Sequence, residues 1–116
     1  MRCALRTIHR RRSCSNWRTA WAFIVMDEAF DVWKKEKTKF DYHLDWDKWH
    51  TARILKICVL RDRNHPSIFI WSIGNEVAEQ WTPNPEAGQY RQRAFSGIVR
   101  SLDKTRPVTS GVQQCE

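Results

Sequence analysis

No apolar run in this chain of 116 residues approaches the roughly 20 residues that a membrane-spanning helix needs. Near the amino terminus the best candidate, residues 20–26, is short and flows straight into Asp27-Glu28. A signal peptide does not end that way, and the segment reads better as a buried strand. Cysteine is present but unpatterned. Cys3, Cys14, Cys58 and Cys115 have no metal-type or redox-type spacing, so unpaired structural thiols are the expectation. Internal repeats and low-complexity segments are also lacking. Acidic residues are missing from residues 1–18, which hold six Arg. The remainder carries fourteen basic residues against thirteen acidic ones, so the formal charge of +7 belongs to an arm and not to the domain. Arg10-Arg11-Arg12 can bind phosphates, yet no nucleic-acid-binding motif accompanies them. Nucleic acid is therefore not the expected partner, and neither is a membrane.

What the chain does have is aromatic mass and an alternation of strands and helices. Seven Trp and five Phe suit a core that packs against more protein than 116 residues supply. Residues 23–26 are β-branched and aromatic and predict a buried strand. Residues 31–42 are charged, without clean periodicity, and predict a solvated loop over the strand ends, where Trp33, Tyr42 and His43 could line a subsite. Asp45 or Asp47 can cap a helix running to about Asp62, with Trp49, Ile54, Ile57, Cys58 and Leu60 facing inward. His65-Pro66 ends it and opens a strand over residues 67–73. Pro83-Asn84-Pro85 breaks the chain, and residues 86–102 suit a second helix with Tyr90, Ala94, Phe95, Ile98 and Leu102 inward. A short strand over residues 107–112 follows. Strand, helix, strand, helix, strand implies parallel pairing through right-handed crossovers.

The segment from Arg61 to Glu76 carries most of the chemistry. It reads Arg-Asp-Arg-Asn-His-Pro-Ser-Ile-Phe-Ile-Trp-Ser-Ile-Gly-Asn-Glu and delivers a carboxylate at the carboxyl end of a hydrophobic strand, directly after Gly74-Asn75. Barrel enzymes place catalytic acids there; a capping Asn and a solvated Glu are the plainer interpretation. The stretch resembles glycoside hydrolase family 2, most of all the β-galactosidase type. That family has an Arg-Asp-x-Asn-His-Pro-Ser run leading into strand four, which ends Trp-Ser-x-Gly-Asn-Glu. Two further runs are similar to the family in the right order. Phe23-Ile24-Val25-Met26-Asp27-Glu28-Ala29-Phe30 matches strand three, and Asp103-Lys104-Thr105-Arg106-Pro107-Val108-Thr109 matches the entry into strand five.

The resemblance implies an α/β fold, a partial (β/α)8 TIM barrel of about three parallel strands with two intervening helices. A whole barrel takes about 250 residues. It implies Glu76 as general acid/base and Asn75 as the contact to the sugar hydroxyl beside the anomeric carbon. Asp27 and Trp33 are the further expected substrate contacts, each with a structural alternative: an ion pair with Arg61 or Arg63 for Asp27, and packing for Trp33. His65 and Trp71 read as structural, and Glu79 is not the partner carboxylate. Family members retain configuration, which calls for a nucleophile carboxylate about 5 Å from the acid/base. In the family it comes from strand seven, and no residue here matches it. No cofactor is expected. Where some β-galactosidases carry Asn-Ile-Glu-x-His, with magnesium-binding Glu and His, this chain has Phe30-Asp31-Val32-Trp33-Lys34, so no metal site of that kind is expected.

Two stretches look out of phase. The family motif before strand three is Arg-Thr-Ser-His-Asn-Pro, followed by a helix ending near Asp-Arg-Met-Gly-Phe. Taking the third base of each codon with the first two of the next, and choosing synonymous codons freely, residues 1–23 can encode Ala-Leu-Arg-Thr-Ser-His-Asn-Pro-Pro-Ala-Pro-Glu-Leu-Leu-Glu-Leu-Ala-Asp-Arg-Met-Gly-Phe. Some steps leave little freedom: Asn16-Trp17 yields only Leu, and Trp21-Ala22 only Gly. The same shift over residues 51–58 gives Arg-Ala-Asp-Leu-Lys-Asp-Met. The expected division is thus an Arg-rich arm at 1–22, read out of frame, and a partial barrel domain at 23–116. A genuine divergent arm is the alternative.

These observations lead to a fragment of a retaining, β-galactosidase-like glycosidase that hydrolyses terminal β-galactosides; it carries the acid/base but lacks the nucleophile, so it is expected to be inactive without the missing barrel strands. A non-catalytic basic module that binds nucleic acid or an acidic partner through its arm is the competing reading. A third is a fragment that complements a separate chain.

Overall fold

The β-branched and aromatic run Ile-Phe-Ile-Trp-Ser-Ile has the composition of a central strand. In a computed structural model of the chain it forms the longest one, β3 (Ile68–Asn75). Residues 4–6, 24–48, 51–81 and 86–111 are described by the structure. Their order is β1 (Ala4–Arg6), β2 (Val25–Glu28), α1 (Thr51–Asp62), β3, α2 (Glu86–Leu102) and β4 (Val108–Gly111). Single 3-10 turns lie at His43–Asp45 and Ala78–Trp81. The sheet order is β1-β2-β3-β4. β2, β3 and β4 run parallel, each pair separated by one helix. This is the expected partial α/β barrel.

β1 departs from that pattern. It pairs antiparallel with β2, Leu5 opposite Asp27, on the edge where a (β/α)8 barrel has a parallel strand.

Register sorts the side chains. Asp27, Trp71 and Val108 stand side by side across the three parallel strands, and Glu28, Ser72 and Thr109 form the next row. Because side chains alternate along a strand, the first row faces the helices and the second faces the other way. The core fills the helix side: Trp71 and Ile73 of β3, Leu55 and Val59 of α1, Phe95 and Val99 of α2. Gly88, Gln92, Phe95, Val99 and Leu102 form the stripe of α2 turned inward, at the alternating spacings of four and three that one helix face requires. Tyr90, expected inward, lies off that stripe and is 75% exposed, and Ala94 is exposed too. In α1 the buried positions are Leu55, Cys58 and Val59, whereas Ile57 and Leu60 are exposed, against expectation. Trp49 lies outside the described residues. Cys58 is disulfide-bonded, which corrects the unpaired-thiol expectation there. Phe69, on β3, is 60% exposed, a surface of the kind that neighbouring elements cover in a closed barrel.

The loop after β2 is not the solvated stretch its charge suggested. Phe30, Val32, Trp33 and Trp46 are buried, and their rings gather on Phe95: Trp33 at 5.5 Å edge-on, Phe30 at 5.7 Å and Trp46 at 6.0 Å. Aromatic pairs in this range add to simple burial. The charged residues between them ride on that anchor.

At the opposite end of the sheet, one buried carboxylate ties three segments together. Asp103 accepts from the Trp71 indole (2.9 Å), the Thr105 hydroxyl (2.6 Å) and backbone N–H (2.9 Å), and Arg106 (2.8 Å). Burial opposes its charge, but these bonds, first those from Thr105, hold its carboxyl well below the ordinary range. Arg106 also donates to the carbonyls of Ile68, Arg63 and His65, and Arg63 donates to the Leu102 carbonyl at the end of α2 (3.0 Å). His65 accepts from the Ser67 N–H through Nδ1 (3.2 Å). Asp103→Ala is expected to cost about 3–5 kcal/mol, the range for breaking a buried hydrogen-bonded pair, read by chemical denaturation. Since the folded pKa is depressed, the stabilisation is complete above the unfolded value of 3.8 and falls as acid is added. The alanine variant should lose that acid limb, and an unchanged acid limb would refute this assignment.

Candidate active site

β3 ends on Gly74-Asn75-Glu76 at the carboxyl edge of the parallel sheet. Gly74 is there for space: a Cβ would come within 3.0 Å of the Trp33 indole nitrogen and of Val77. Glu76 then leaves the strand with φ 49°, the one positive value at a non-glycine among the described residues. That left-handed conformation costs an L-residue roughly 1–2 kcal/mol. The Glu76 N–H is held by the Gly111 carbonyl of β4 (3.0 Å), and its side chain is exposed. The strand thus presents the carboxyl to open space from a fixed, strained backbone.

Asn75 is held by two hydrogen bonds and lies close against Gly111. Its Nδ2 donates to Asp31 Oδ1 (3.2 Å), its carbonyl accepts from Lys37 Nζ (2.7 Å), and its Oδ1 lies 2.8 Å from where a Cβ on Gly111 would stand. Lys37 Nζ also donates to Asp31 Oδ1 (3.1 Å). Asp41 shapes the loop that carries Lys37. Its carboxylate accepts from the backbone N–H of Lys37 (2.7 Å), Thr38 (2.8 Å) and His43 (2.9 Å), and contacts the His43 ring at 2.6 Å. Burial works against the Asp41 charge, but these backbone bonds hold its carboxyl well below the usual range. The Tyr42 hydroxyl accepts from the N–H groups of Asp31 (3.0 Å) and Val32 (3.2 Å).

The other expected site residues sit elsewhere. Trp33 is 0% exposed, donates its indole N–H to the Ile73 carbonyl (2.9 Å) and packs edge-on against Phe95. Its ring faces are covered, so the sugar-contact expectation gives way to packing. Asp27 is 1% exposed, no N–H donor meets either oxygen, and its carboxyl faces the Asp62 carboxyl. Its charged neighbours are Asp62 and Arg61 at the end of α1, and Glu28. Alternation sends Asp27 to the helix side, away from the strand ends, so a sugar contact is corrected for it as well. The expected ion pair does not form either, because Arg61 bonds Asp62 instead. Glu28, on the other face, accepts from the Ser72 hydroxyl (3.0 Å). Glu79 is structural: it accepts from the Lys35 N–H (2.9 Å) and pairs with Arg91.

At the positions corresponding to the magnesium ligands stand Val32, which is buried and has no side-chain donor atom, and Lys34, which pairs with Asp47 (2.7 Å). Among the described residues no group of three or more His, Cys, Asp or Glu could hold an ion, and no helix is long and apolar enough to cross a membrane.

Comparison with known proteins assigns the chain to a family. The family model "Glycosyl hydrolases family 2, TIM barrel domain" matches residues 6–115, and the chain belongs to that family. It is 39% identical to the β-galactosidase BoGH2A of Bacteroides ovatus over an alignment of 120 residues, which covers 79% of this chain and 14% of the relative. It is 43% identical to a putative β-glucuronidase of Formosa agariphila, across 76% of the chain and 7% of that protein. A solved family 2 member from Bacteroides cellulosilyticus superimposes with a TM-score of 0.74 at 40% identity, across 87% of this chain and 12% of that one. The chain therefore spans about one seventh or less of each of these three proteins.

Two outcomes follow from the local physics. Asn tolerates the left-handed region better than Glu, so Glu76→Asn should hold or raise the melting temperature, by up to about 1 kcal/mol in stability. A clear fall would mean that the Glu76 side chain supports the fold. For Asp27, burial and then the Asp62 carboxylate push its pKa up; two carboxyls can bond only while one keeps a proton. A raised folded pKa gives stability that is complete below the unfolded value of 3.8 and is lost as pH climbs. The slope approaches ~1.4 kcal/mol per pH unit for one proton. Asp27→Asn should flatten that slope in unfolding measured from pH 5 to 9, and a slope that persists would place the proton elsewhere.

Proposed function

We propose that this chain is the strand-three-to-five portion of a retaining β-glycosidase of the β-galactosidase type. Glu76 is its general acid/base, and Asn75 contacts the hydroxyl beside the anomeric carbon. The observation that carries this is the placement of an exposed carboxyl at the carboxyl end of a buried parallel strand, within a segment matched to the family's barrel. In the proposed reaction the carboxyl protonates the leaving oxygen while a nucleophile carboxylate, about 5 Å away, attacks the anomeric carbon. The carboxylate then deprotonates the water that hydrolyses the covalent intermediate. None of these 116 residues matches that nucleophile, so this polypeptide by itself is expected to be inactive.

The galactoside reading is supported by the Trp-Ser-Ile-Gly-Asn-Glu run and by BoGH2A. Glucuronides are the second reading, favoured by the name of the 43% identical relative. The arm at residues 1–22 is proposed to be out-of-frame, and the antiparallel pairing of β1 supports this. The nucleotide sequence over codons 1–23 and 50–59 decides it.

A chimaera tests the function: residues 23–116 replace the matching segment of the Bacteroides ovatus β-galactosidase. Aryl galactosides and aryl glucuronides are then compared as substrates. Glu76→Gln should lower kcat/KM by about 10²- to 10⁴-fold for substrates with a poor leaving group. The loss should be much smaller when the leaving group needs no proton, and azide should restore turnover. Equal losses for both leaving groups, with no rescue by azide, would remove Glu76 from the acid/base role.

A further inference from the structure

The charged loop after β2 contains more ordered polar contacts than a solvated surface needs, and they converge on one side chain. Asp31 Oδ1 accepts from both Asn75 Nδ2 and Lys37 Nζ, while Lys37 Nζ donates in addition to the Asn75 carbonyl. The three residues form a closed ring that fixes both the backbone and the carboxamide of Asn75. Each member is itself held in place: Asp31 by two N–H bonds to the Tyr42 hydroxyl at its own and the next position, Lys37 by Asp41 at its backbone N–H. Tyr42 and Asp41 adjoin in sequence, so one turn sets both.

We propose that Asp31 and Lys37 are positioning residues for catalysis, which orient the Asn75 amide beside Glu76. This rests on the acid/base reading of Glu76 given above. A carboxylate accepts hydrogen bonds only, so it directs the NH2 side of the amide toward itself and leaves the amide oxygen over Gly111, where no Cβ intrudes. The Asp31 side chain is 48% exposed and the Lys37 side chain 21%, and an ion pair in contact with water contributes modestly to stability. The ring therefore serves geometry more than folding.

The chimaera separates this idea from the reading beneath it. The parent chimaera and its Glu76→Gln variant report on the acid/base. Asp31→Ala and Lys37→Met then report on positioning, through the ratio of kcat/KM for an aryl galactoside to that for its 2-deoxy analogue. Loss of alignment is expected to lower kcat/KM on the hydroxylated sugar by about 10- to 100-fold, with little change on the deoxy sugar. Asp31→Asn, whose carbonyl oxygen can still accept both bonds, should recover most of the ratio. The double variant Asp31→Ala/Asn75→Ala should be no worse than Asn75→Ala alone, since a residue acting through another is not additive with it. Equal losses on both sugars, or additive losses, would overturn the proposal. A crystal structure of the Asp31→Ala chimaera is decisive even without activity. A turned Asn75 amide supports the role, and an unmoved one refutes it.

Discussion

The buried Asp103 carboxylate is the contact on which the rest of this structure depends. It joins the end of α2 and the approach to β4 with the middle of β3, through Trp71 and Arg106. A carboxylate in that position would be costly if unpaired. Here charge-assisted and neutral donors satisfy it, and the cost of burial becomes a penalty on any other arrangement. Arg106 extends the tie to three carbonyls at the start of β3. β3 and β4 are thereby tied together toward their amino ends by hydrogen bonds, leaving their carboxyl ends to be shaped by loops.

Those loops are also anchored, by different means. Phe30, Trp33 and Trp46 insert into the helix layer around Phe95, and the charged residues between them cannot drift. Asp41 and Tyr42 then convert that anchorage into specific positions for Lys37 and Asp31. Apolar burial supplies the energy and hydrogen bonds supply the direction, a division that fits a site where a misplacement of about 1 Å is costly.

Much of the fold could be read from the residues. The β-branched composition of β2 and β3, the His-Pro break and the Pro-Asn-Pro break gave the strand and helix order. The two buried helix faces were harder. Tyr90 and Leu60 are apolar enough to be assigned inward by composition, yet the 3.6-residue period set from Gly88 and Leu55 leaves them outside. Asp27 and Trp33 failed for a related reason. Being near a strand end says nothing about direction, and only register shows that Asp27 points to α1 while Glu28 points to Ser72. Asp31 and Lys37 do not stand out in the sequence because a charged run without periodicity resembles a solvated loop. The available signal was its place, directly after a strand end on the face where barrels keep their sites.

The three sequence motifs then divide the labour. The run ending in Glu76 brings the proposed acid/base carboxyl, whereas the Asp-x-Thr-Arg-Pro run contributes no group to that proposed chemistry. It sets where β4 begins, and β4 in turn sets the site. The register between β3 and β4 shifts between Ser72 and Asn75, so that Asn75 lies beside Gly111 and the Glu76 N–H meets the Gly111 carbonyl. A side chain at position 111 would displace the Asn75 amide. Without that carbonyl, the left-handed turn at Glu76 would have no bond to offset its strain. The backbone turn that presents the Glu76 carboxyl is thus held by the neighbouring strand β4. That is a physical reason for the motif at the entry to β4 to accompany the motif at the end of β3.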